Sequence, residues 1–286
     1  MIIDFHTHTF PDKIAAAAVD KLQAASHTRP FSDGTVDGLR ASMAAAGIDA
    51  SVVLPVATSA KQVPHINDSA IRVNRQAKET GVHSFGGMHP DFPDWEQEME
   101  RLCAAGVRGV KVHPPYQGVN FDDPRYIRVL KKASALGMLV VTHAGLDVGL
   151  PGAEQSTPEK LLRAREQAPD TTLILAHMGG WRCWDDVERL LPGTGVYLDT
   201  SFALGHMTPN GDGFYKTEAD LAMLEQEQFL RLIRLFGADH ILFGTDSPWG
   251  EQGAYLRAIS ALPLSDADRA AILGGSAEKL LSISNP

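Results

Sequence analysis

Six of the eleven histidines in this chain stand at the end of a short apolar run, where a lysine and an aspartate also occur. These residues are His6, His8, His89, His113, His143, His177, Lys111 and Asp246. Imidazole nitrogens together with carboxylate oxygens are typical ligands of zinc and of related divalent ions. If the apolar runs are parallel strands of a barrel, their carboxyl ends meet at one rim and bring these side chains together. The pattern therefore predicts a metal-assisted active site.

Four of these side chains are predicted to share one cation. His6 and His8 are two residues apart on a strand, so both imidazoles face the same way. His143 follows the run LVVT, and Asp246, in LFGTDSPW, is a carboxylate whose burial is costly unless it is paired or bound to a metal. Zinc suits this set best, as one ion or two, although manganese and iron accept the same ligand types. The alternatives are unrelated loop histidines, a packed core histidine and an aspartate that only caps a turn.

Asp246 and His177 are the predicted catalytic residues. A carboxylate at the edge of a metal can also accept a proton, so Asp246 is expected to act as a general base. His177 lies in LILAHMGG, where small residues let a substrate come close. We expect it to polarise the substrate or to shuttle a proton, and a purely structural histidine is the alternative.

Lys111 has three open interpretations. Its amine could add carbon dioxide and bridge two metals as a carbamate, which requires burial to lower its pKa. It could instead bind a substrate carboxylate as a cation, or form a structural ion pair. His177 and His113 are the other candidates for a second metal or for the substrate. Weaker candidates for substrate contact are His89, Tyr116 and Arg182.

The elements that must position these residues alternate between short β-branched runs and longer amphipathic stretches, as is typical of βαβ units and a parallel sheet. Eight strands are predicted, over Ile2–Phe5, Ser51–Pro55, His83–Gly87, Val107–Val112, Met138–Thr142, Thr172–Ala176, Val196–Asp199 and His240–Phe243. Helices are predicted over Val36–Ala46, Asp68–Thr80, Trp95–Ala105, Asp123–Leu136, Pro158–Gln167, Trp184–Leu191 and Glu218–Phe236, and two or three short ones follow, ending in Ala277–Ser282.

Eight such units in 286 residues predict an α/β fold: a single (β/α)8 barrel domain over residues 1–286 with short C-terminal helices. The turn after the first strand reads HTHTFP and lacks the glycine-rich dinucleotide fingerprint, so a doubly wound nucleotide-binding fold loses support. The longest irregular insertions are expected at Thr9–Thr35, Ala144–Thr157 and Ser201–Thr217. All three follow strands and so lie on the face where barrels carry their sites.

Composition limits the partners, the cysteine redox state and the cellular location that we expect for the protein. A net charge of −9 argues against nucleic acid as a partner. Cys103 and Cys183 are too few for a disulfide framework and are expected to be reduced. The N-terminus does not resemble a signal peptide, and no apolar run reaches the ~20 residues of a membrane span. We therefore expect a cytoplasmic enzyme with a small-molecule substrate and no membrane contact, and a homodimer from general frequency alone.

The motifs DFHTHTFP, GVKVHPPYQG, VTHAG, LILAHMGG, LDTS and ILFGTDSPW, in this order, resemble the metal-dependent amidohydrolase superfamily. The branch that the chain looks like is the amidohydrolase-2 group, which also contains enzymes similar to aminocarboxymuconate semialdehyde decarboxylase. The resemblance extends from Ile3 to about Leu281, and the order of the motifs is more specific than any one of them.

This resemblance implies roles for particular residues. The family's metal ligands, commonly on zinc, fall on His6, His8, His143 and Asp246. The family's catalytic or second-metal histidine falls on His177. Dinuclear members carry a carboxylated lysine or a glutamate on the fourth strand, and Lys111 matches the lysine. Decarboxylase-like members usually hold one metal, so the resemblance leaves the number of ions open.

Three interpretations of the function follow. The leading one is hydrolysis of an amide, lactone or ester bond in a small, carboxylate-bearing molecule by a water molecule that the metal activates. The alternative is non-oxidative decarboxylation, or hydration, of an unsaturated or aromatic carboxylic acid at the same site. The third interpretation is a non-catalytic protein that binds a metal or a partner. It would need an incomplete site, yet every expected ligand type is present. The fold does not decide among them, because it carries many chemistries.

Overall fold

The computed structural model describes residues 1–283, so the last three residues of the expected domain lie outside the described chain. Its strands are β1 (Ile3–Thr7), β2 (Ala50–Val53), β3 (Val82–Ser84), β4 (Gly86–Gly87), β5 (Gly109–Val112), β6 (Leu139–Thr142), β7 (Leu173–Leu175), β8 (Tyr197–Asp199) and β9 (Ile241–Leu242). All paired strands are parallel, in the orders β1-β2-β3 and β4-β5-β6-β7-β8-β9. The predicted α/β barrel is confirmed in its order of elements.

The hydrogen-bonded wall of the barrel has two interruptions. One lies at Phe85, between β3 and β4. The other lies between β9 and β1, where single hydrogen bonds replace a ladder: the N–H of Phe5 donates to the carbonyl oxygen of Phe243 at 2.7 Å. Side chains from the strands, among them Phe5 and Val141, fill the interior, and a larger apolar layer separates the strands from the helices.

Helices connect the strands and cover them. They are α1 (Asp12–Ser26), α2 (Val36–Ala46), α3 (Val63–Arg75), α4 (Ala77–Thr80), α5 (Trp95–Ala104), α6 (Pro114–Gln117), α7 (Pro124–Ala135), α8 (Pro158–Gln167), α9 (Trp184–Leu190), α10 (Glu218–Leu221), α11 (Gln226–Phe236), α12 (Gln252–Ser260), α13 (Asp266–Ala270) and α14 (Ser276–Leu281). In α7 the Asp123 side chain accepts from the N–H of Arg125, Pro124 occupies the first turn, and Ile127 and Leu130 are buried. Such local signals explain why most predicted helices are confirmed to within two residues.

Three expectations about these elements were wrong. The third strand is divided, because the side chain of Asn74 binds both backbone groups of Ser84 and that of Asn67 accepts from the N–H of Gly87. The predicted helix Glu218–Phe236 is broken, because residues 222–224 pair with the loop at 203–207, burying Met223 and Leu224. The predicted helix Asp68–Thr80 begins earlier, at Val63, and is interrupted at Gln76.

The insertion after β1 also differs from expectation. It was expected to be irregular from Thr9 to Thr35, yet the helix α1 occupies more than half of it. The insertions after β6 and β8 are irregular as expected. Both cysteines are unpaired. None of the helices in residues 1–283 combines the length and the apolarity that crossing a bilayer requires.

Candidate active site

A cavity of about 800 Å³ opens at the carboxyl ends of the strands. The ionisable side chains that line it near the strand ends are His6, His8, Lys111, His113, Tyr116, His143, Asp147, His177 and Asp246. Eight of these nine were singled out from the sequence, because a polar residue that follows a buried parallel strand must emerge at this rim. His89 and Arg182, the other two candidates for substrate contact, lie outside the cavity.

The most closely grouped ligand atoms are Nε2 of His6, Nε2 of His8 and Oδ1 of Asp246, which we call the metal cluster. The two imidazole nitrogens lie 3.2 Å apart, and the carboxylate oxygen lies 3.3 Å from His6 and 3.0 Å from His8. Donor atoms that bind one zinc ion at about 2.0–2.1 Å in a tetrahedron stand roughly 3.3 Å from each other. The spacing of the metal cluster therefore fits a small divalent cation.

Hydrogen bonds on the far side of each ring leave those two nitrogens free to act as ligands. Nδ1–H of His6 donates to Oδ2 of Asp199 at 2.8 Å, and Nδ1–H of His8 donates to the carbonyl oxygen of Leu54 at 2.8 Å. A neutral imidazole whose proton is on Nδ1 keeps a lone pair on Nε2. Both lone pairs point to the same place, and a cation between them removes their repulsion. The donor set therefore fits a metal by its chemistry as well as by its spacing.

His143 and His177 form a second pair of converging nitrogens. Nδ1 of His143 and Nε2 of His177 are 3.2 Å apart. The opposite nitrogen of each ring donates to a backbone carbonyl oxygen, that of Leu146 at 2.8 Å and that of Ser201 at 2.9 Å. By the spacing of its ligand atoms, His143 is not part of the metal cluster. That all four predicted ligands share one cation therefore stays a prediction.

Lys111 lies beside the metal cluster. Its side chain is fully buried, and Nζ lies 3.4 Å from Nε2 of His6. Burial lowers the pKa of Lys111 to about 8, against the opposing charges of nearby carboxylates such as Asp199 and Asp246. The structural ion pair loses support, because Lys111 forms none of the ion pairs found in residues 1–283. A carbamate and a cation that binds the substrate both remain open.

The charges of the other groups suit a metal at this place. Burial lowers the pKa of both His143 and His177 to about 4, and it holds the pKa of His6 well below its usual value. These imidazoles are therefore neutral at pH 7 and keep their lone pairs. Burial alone raises the pKa of Asp246, but positive charge among the neighbouring imidazoles, either a proton on His8 or a bound cation, lowers it overall. The carboxylate therefore stays ionised.

Two site residues adopt backbone conformations that only a firm surrounding structure can hold. His177 has a φ of 58° and Asp246 a φ of 65°, in the left-handed region that costs a non-glycine residue about 1–3 kcal/mol. The N–H of Asp246 donates to the carbonyl oxygen of His6 at 2.8 Å. The buried carboxylate of Asp4 accepts from the N–H and the hydroxyl of Thr245 and from the amide of Gln252. Asp4 was missed in the sequence, although it begins the motif DFHTH.

A second histidine–aspartate group in the cavity consists of His113, His143 and Asp147, and we call it the loop cluster. Oδ2 of Asp147 lies 3.5 Å from Nε2 of His113 and 3.8 Å from Nε2 of His143. Nδ1 of His113 accepts from the N–H of Tyr116, so Nε2 carries the proton of that ring when it is neutral. Burial raises the pKa of Asp147 to about 6. Asp147 was missed because it lies in a loop, four residues after His143.

The two candidates outside the cavity have local partners. The backbone N–H of Asp91 donates to Nδ1 of His89 at 3.1 Å, within a turn. The guanidinium of Arg182 donates to the carbonyl oxygen of Asp220 at 2.6 Å, and it lies over the ring of Trp181 at 4.9 Å from the centroid. Their position after a strand predicted that His89 and Arg182 lie near the rim, but it did not predict the direction in which their side chains point.

Comparisons with known proteins agree with this fold. The structure resembles an uncharacterised TIM-barrel protein from Bordetella bronchiseptica, with a TM-score of 0.74, 20% identity and 98% of each chain covered. It also resembles a 5-carboxyvanillate decarboxylase from Sphingomonas paucimobilis, with a TM-score of 0.69, 17% identity and 99% of each chain covered. A third similar structure is a dihydroxybenzoic acid decarboxylase from Polaromonas sp. JS666 with bound manganese and the inhibitor 2-nitroresorcinol. Its TM-score is 0.67 at 17% identity, over 100% of this chain and 98% of that one.

At these identities the structural matches show the fold alone, a TIM barrel. A search of curated protein sequences found no match. The amidohydrolase-2 family model, described as amidohydrolase, matches residues 3–283 of this chain and so shows its family. That family and the His–Asp donor set together support a divalent metal. The chain belongs to the amidohydrolase-2 family.

Proposed function

We propose that this protein is a metal-dependent, non-oxidative decarboxylase of an aromatic or unsaturated carboxylic acid. The observation that carries the proposal is a buried cation, Lys111, beside a metal cluster at the end of a largely apolar cavity. Decarboxylases among the similar structures support the same chemistry. Hydrolysis, the leading interpretation of the sequence, has support at the level of the family only.

An apolar cavity with cations at its inner end suits the loss of carbon dioxide. A carboxylate that enters it loses its hydration, while Lys111 holds the negative charge in place. Because the charge leaves the carboxylate oxygens as neutral carbon dioxide forms, apolar walls such as Val53, Phe202 and Trp181 disfavour the starting carboxylate more than the transition state. The cavity therefore lowers the barrier instead of only binding the acid.

The metal cluster would hold the divalent ion through His6, His8 and Asp246. Such an ion supplies positive charge that orients the acid and stabilises the electron pair left on carbon. Zinc matches the donor atoms, and manganese is present in one of the similar structures. We propose one of these two ions, with Asp199 fixing the ring of His6 through its hydrogen bond.

The proton that replaces the carboxyl group is assigned to Nζ of Lys111. Burial lowers the pKa of Lys111 to about 8, so Nζ releases a proton more readily than an exposed lysine does. The bond between the carboxyl carbon and the ring carbon breaks, carbon dioxide leaves, and the bonding pair stays on the ring carbon, which takes the proton. Lys111 then regains a proton from solvent. His177 is neutral, so it accepts a hydrogen bond or a proton from a hydroxyl group of the substrate.

The test is a product assay on protein loaded with manganese or with zinc. Hydroxybenzoates and small unsaturated acids are tested for release of carbon dioxide, and lactones, amides and esters for release of acid. We expect carbon dioxide from at least one acid and its loss after treatment with a chelator. Hydrolysis without any release of carbon dioxide from the acids would overturn the proposal.

A matched pair of variants tests the role of Lys111. Lys111→Met removes the charge and the proton but keeps the length of the side chain, and we expect kcat to fall by roughly 10²-fold or more. Lys131→Met, at an exposed position of α7 outside the cavity, serves as the control and keeps its activity. Equal activity of the two variants would remove Lys111 from the mechanism.

A second candidate, hydrolysis with two metal ions, is favoured by one observation. The converging nitrogens of His143 and His177 would hold a second ion, and the amine of Lys111 would bridge the two ions as a carbamate. Two ions per chain together with hydrolysis of a lactone or an amide would establish this candidate in place of the first.

A further inference from the structure

We infer that the cavity has an apolar arm, lined by α1 and α3, which binds a hydrocarbon substituent of the substrate. This inference rests on the proposed function, because it concerns the acid that the same site converts. It assigns as substrate a carboxylic acid with an extended apolar group, such as an alkyl chain or a second aromatic ring, instead of a single small ring.

The size of the cavity is the first argument. Its volume is about 800 Å³. A cavity of about 150 Å³ is enough to hold benzene, and drug-sized ligands occupy cavities of about 300–1,000 Å³. A single-ring acid would fill a small part of the space and leave the rest to water against apolar walls. The cavity therefore matches a ligand several times larger.

The side of α1 that lines the cavity is apolar and has little else to contact. Ile14, Ala18 and Leu22 lie at every fourth position and so form one strip along the helix. The side chain of Ile14 is 53% exposed. Within residues 1–283, neither Ile14 nor Leu22 packs against the buried core. These side chains gain burial when a ligand covers them.

A second apolar strip lies on α3. Ile66, Ala70 and Val73 are spaced by four and three residues and line the same cavity as His6 and Asp246. The cavity therefore runs without a break from the metal cluster to the two helices. A single molecule can place its carboxylate at the metal cluster and its hydrocarbon part between the strips.

The charges at the rim favour an anionic ligand. Lys61, His65 and Arg72 line the cavity from the α3 side, and Asp12 lines it from the α1 side. Lys61 and Arg72 take no part in the ion pairs found in the described chain. An acid meets net positive charge at this rim, because Lys61 and Arg72 outnumber Asp12.

The experiment compares hydroxybenzoic acids without a further substituent and with propyl, hexyl or phenyl groups, by calorimetry and by turnover on manganese-loaded protein. We expect affinity to rise roughly fourfold for each methylene group that enters the arm. Ala18→Phe fills the arm, and it should reduce the ratio of affinities for hexyl and unsubstituted acids at least tenfold. Ala17→Phe adds the same ring to an exposed position of α1 outside the cavity and should leave that ratio unchanged.

The outcomes separate this inference from the proposed function. Binding that rises with chain length, without any carbon dioxide, keeps the arm and overturns the decarboxylase. Carbon dioxide with equal affinity along the series overturns the arm and keeps the decarboxylase. Equal effects of Ala17→Phe and Ala18→Phe also overturn the arm. A dimer in solution that Ile14→Asp converts to monomers would show that this face is an interface between copies, which overturns the arm as well.

Discussion

The metal cluster and the loop cluster have the same composition but different hydrogen bonds. Each consists of two histidines and one aspartate whose ligand atoms lie close together. In the metal cluster, Asp199 and a backbone carbonyl occupy the far nitrogens of His6 and His8, so the facing nitrogens carry lone pairs. In the loop cluster the nitrogens that face Asp147 carry the protons. Nδ1 of His113 accepts from a backbone N–H, which leaves the proton on Nε2, and Nε2–H of His143 donates to a backbone carbonyl oxygen. Residue types and proximity alone therefore do not define a metal site.

The two clusters also differ in charge. The pKa of Asp246, in the metal cluster, lies below its usual value, whereas burial raises the pKa of Asp147 to about 6. The N–H groups of the loop cluster can donate to Asp147 or to a substrate, which suits recognition of a polar substituent. The comparison predicts that the metal cluster binds a metal and that the loop cluster forms hydrogen bonds. Variants at matched positions of the two clusters test this difference.

The largest expected effect is on metal content. His8→Ala removes a lone pair from the metal cluster, and we expect loss of the bound metal and at least about 10³-fold lower activity. His113→Ala, the matched change in the loop cluster, should keep the metal. Elemental analysis after dialysis measures both, and equal metal loss in the two variants would erase the distinction between the clusters.

A smaller effect is expected from the carboxylates behind the rings. Asp199→Asn weakens the acceptor that orients His6, and changes of this kind typically cost 10–100-fold in metal affinity. Asp147→Asn should change metal affinity less than about threefold, since Asp147 is not expected to orient a ligand of the metal cluster. Competition with a chromogenic chelator gives both values. The comparison fails if Asp147→Asn has the larger effect.

Acid should destabilise the metal-free protein through the buried histidines. The pKa of both His143 and His177 is about 4 in the folded protein, below the ordinary value of 6.5. Between these pH values the unfolded chain binds more protons, so stability is fully present above pH 6.5 and falls as the pH approaches 4. Each group contributes up to roughly 3 kcal/mol. Urea unfolding with a chelator at several pH values measures this, and a flat profile would contradict it.

A further expected effect concerns the stability of the loop that carries Leu146 and Asp147. A Cβ atom on Gly145 would lie 2.2 Å from the backbone N of Trp181, whereas one on Gly152 would meet nothing within 4 Å. Both glycines have a positive φ, so both alanine variants are strained. We expect Gly145→Ala to cost about 2–4 kcal/mol and Gly152→Ala about 1 kcal/mol. Thermal unfolding compares them, and equal Tm values would show that the loop adjusts freely.

How much of the site could be predicted from the sequence depended on where each residue lies. His6, His8, His177 and Asp246 follow buried strands, and the parallel barrel brings all strand ends to one rim whatever the details of packing. Asp147 had no such signal, because its position depends on how a loop folds back. Arg182 shows the limit in the other direction, since a position at the rim does not determine where a long side chain points.

The fold was predicted best where local and tertiary preferences agree. The helix Val36–Ala46 has the predicted limits, with Thr35 as its N-cap and a left-handed Gly47 after it. The predicted helix Glu218–Phe236 failed where pairing with another loop overrode helix propensity at Met223. The apolar arm could not be foreseen for a related reason. It depends on how α1 and α3 are placed around the cavity, and the sequence pattern of either helix does not contain that relation.

The most direct test of the account is a crystal structure of manganese-loaded protein with anomalous scattering measured at the metal edge. We predict a peak about 2.0–2.2 Å from Nε2 of His6, Nε2 of His8 and Oδ1 of Asp246. A peak between His113 and Asp147, or no peak in protein that releases carbon dioxide from its substrate, would contradict the account.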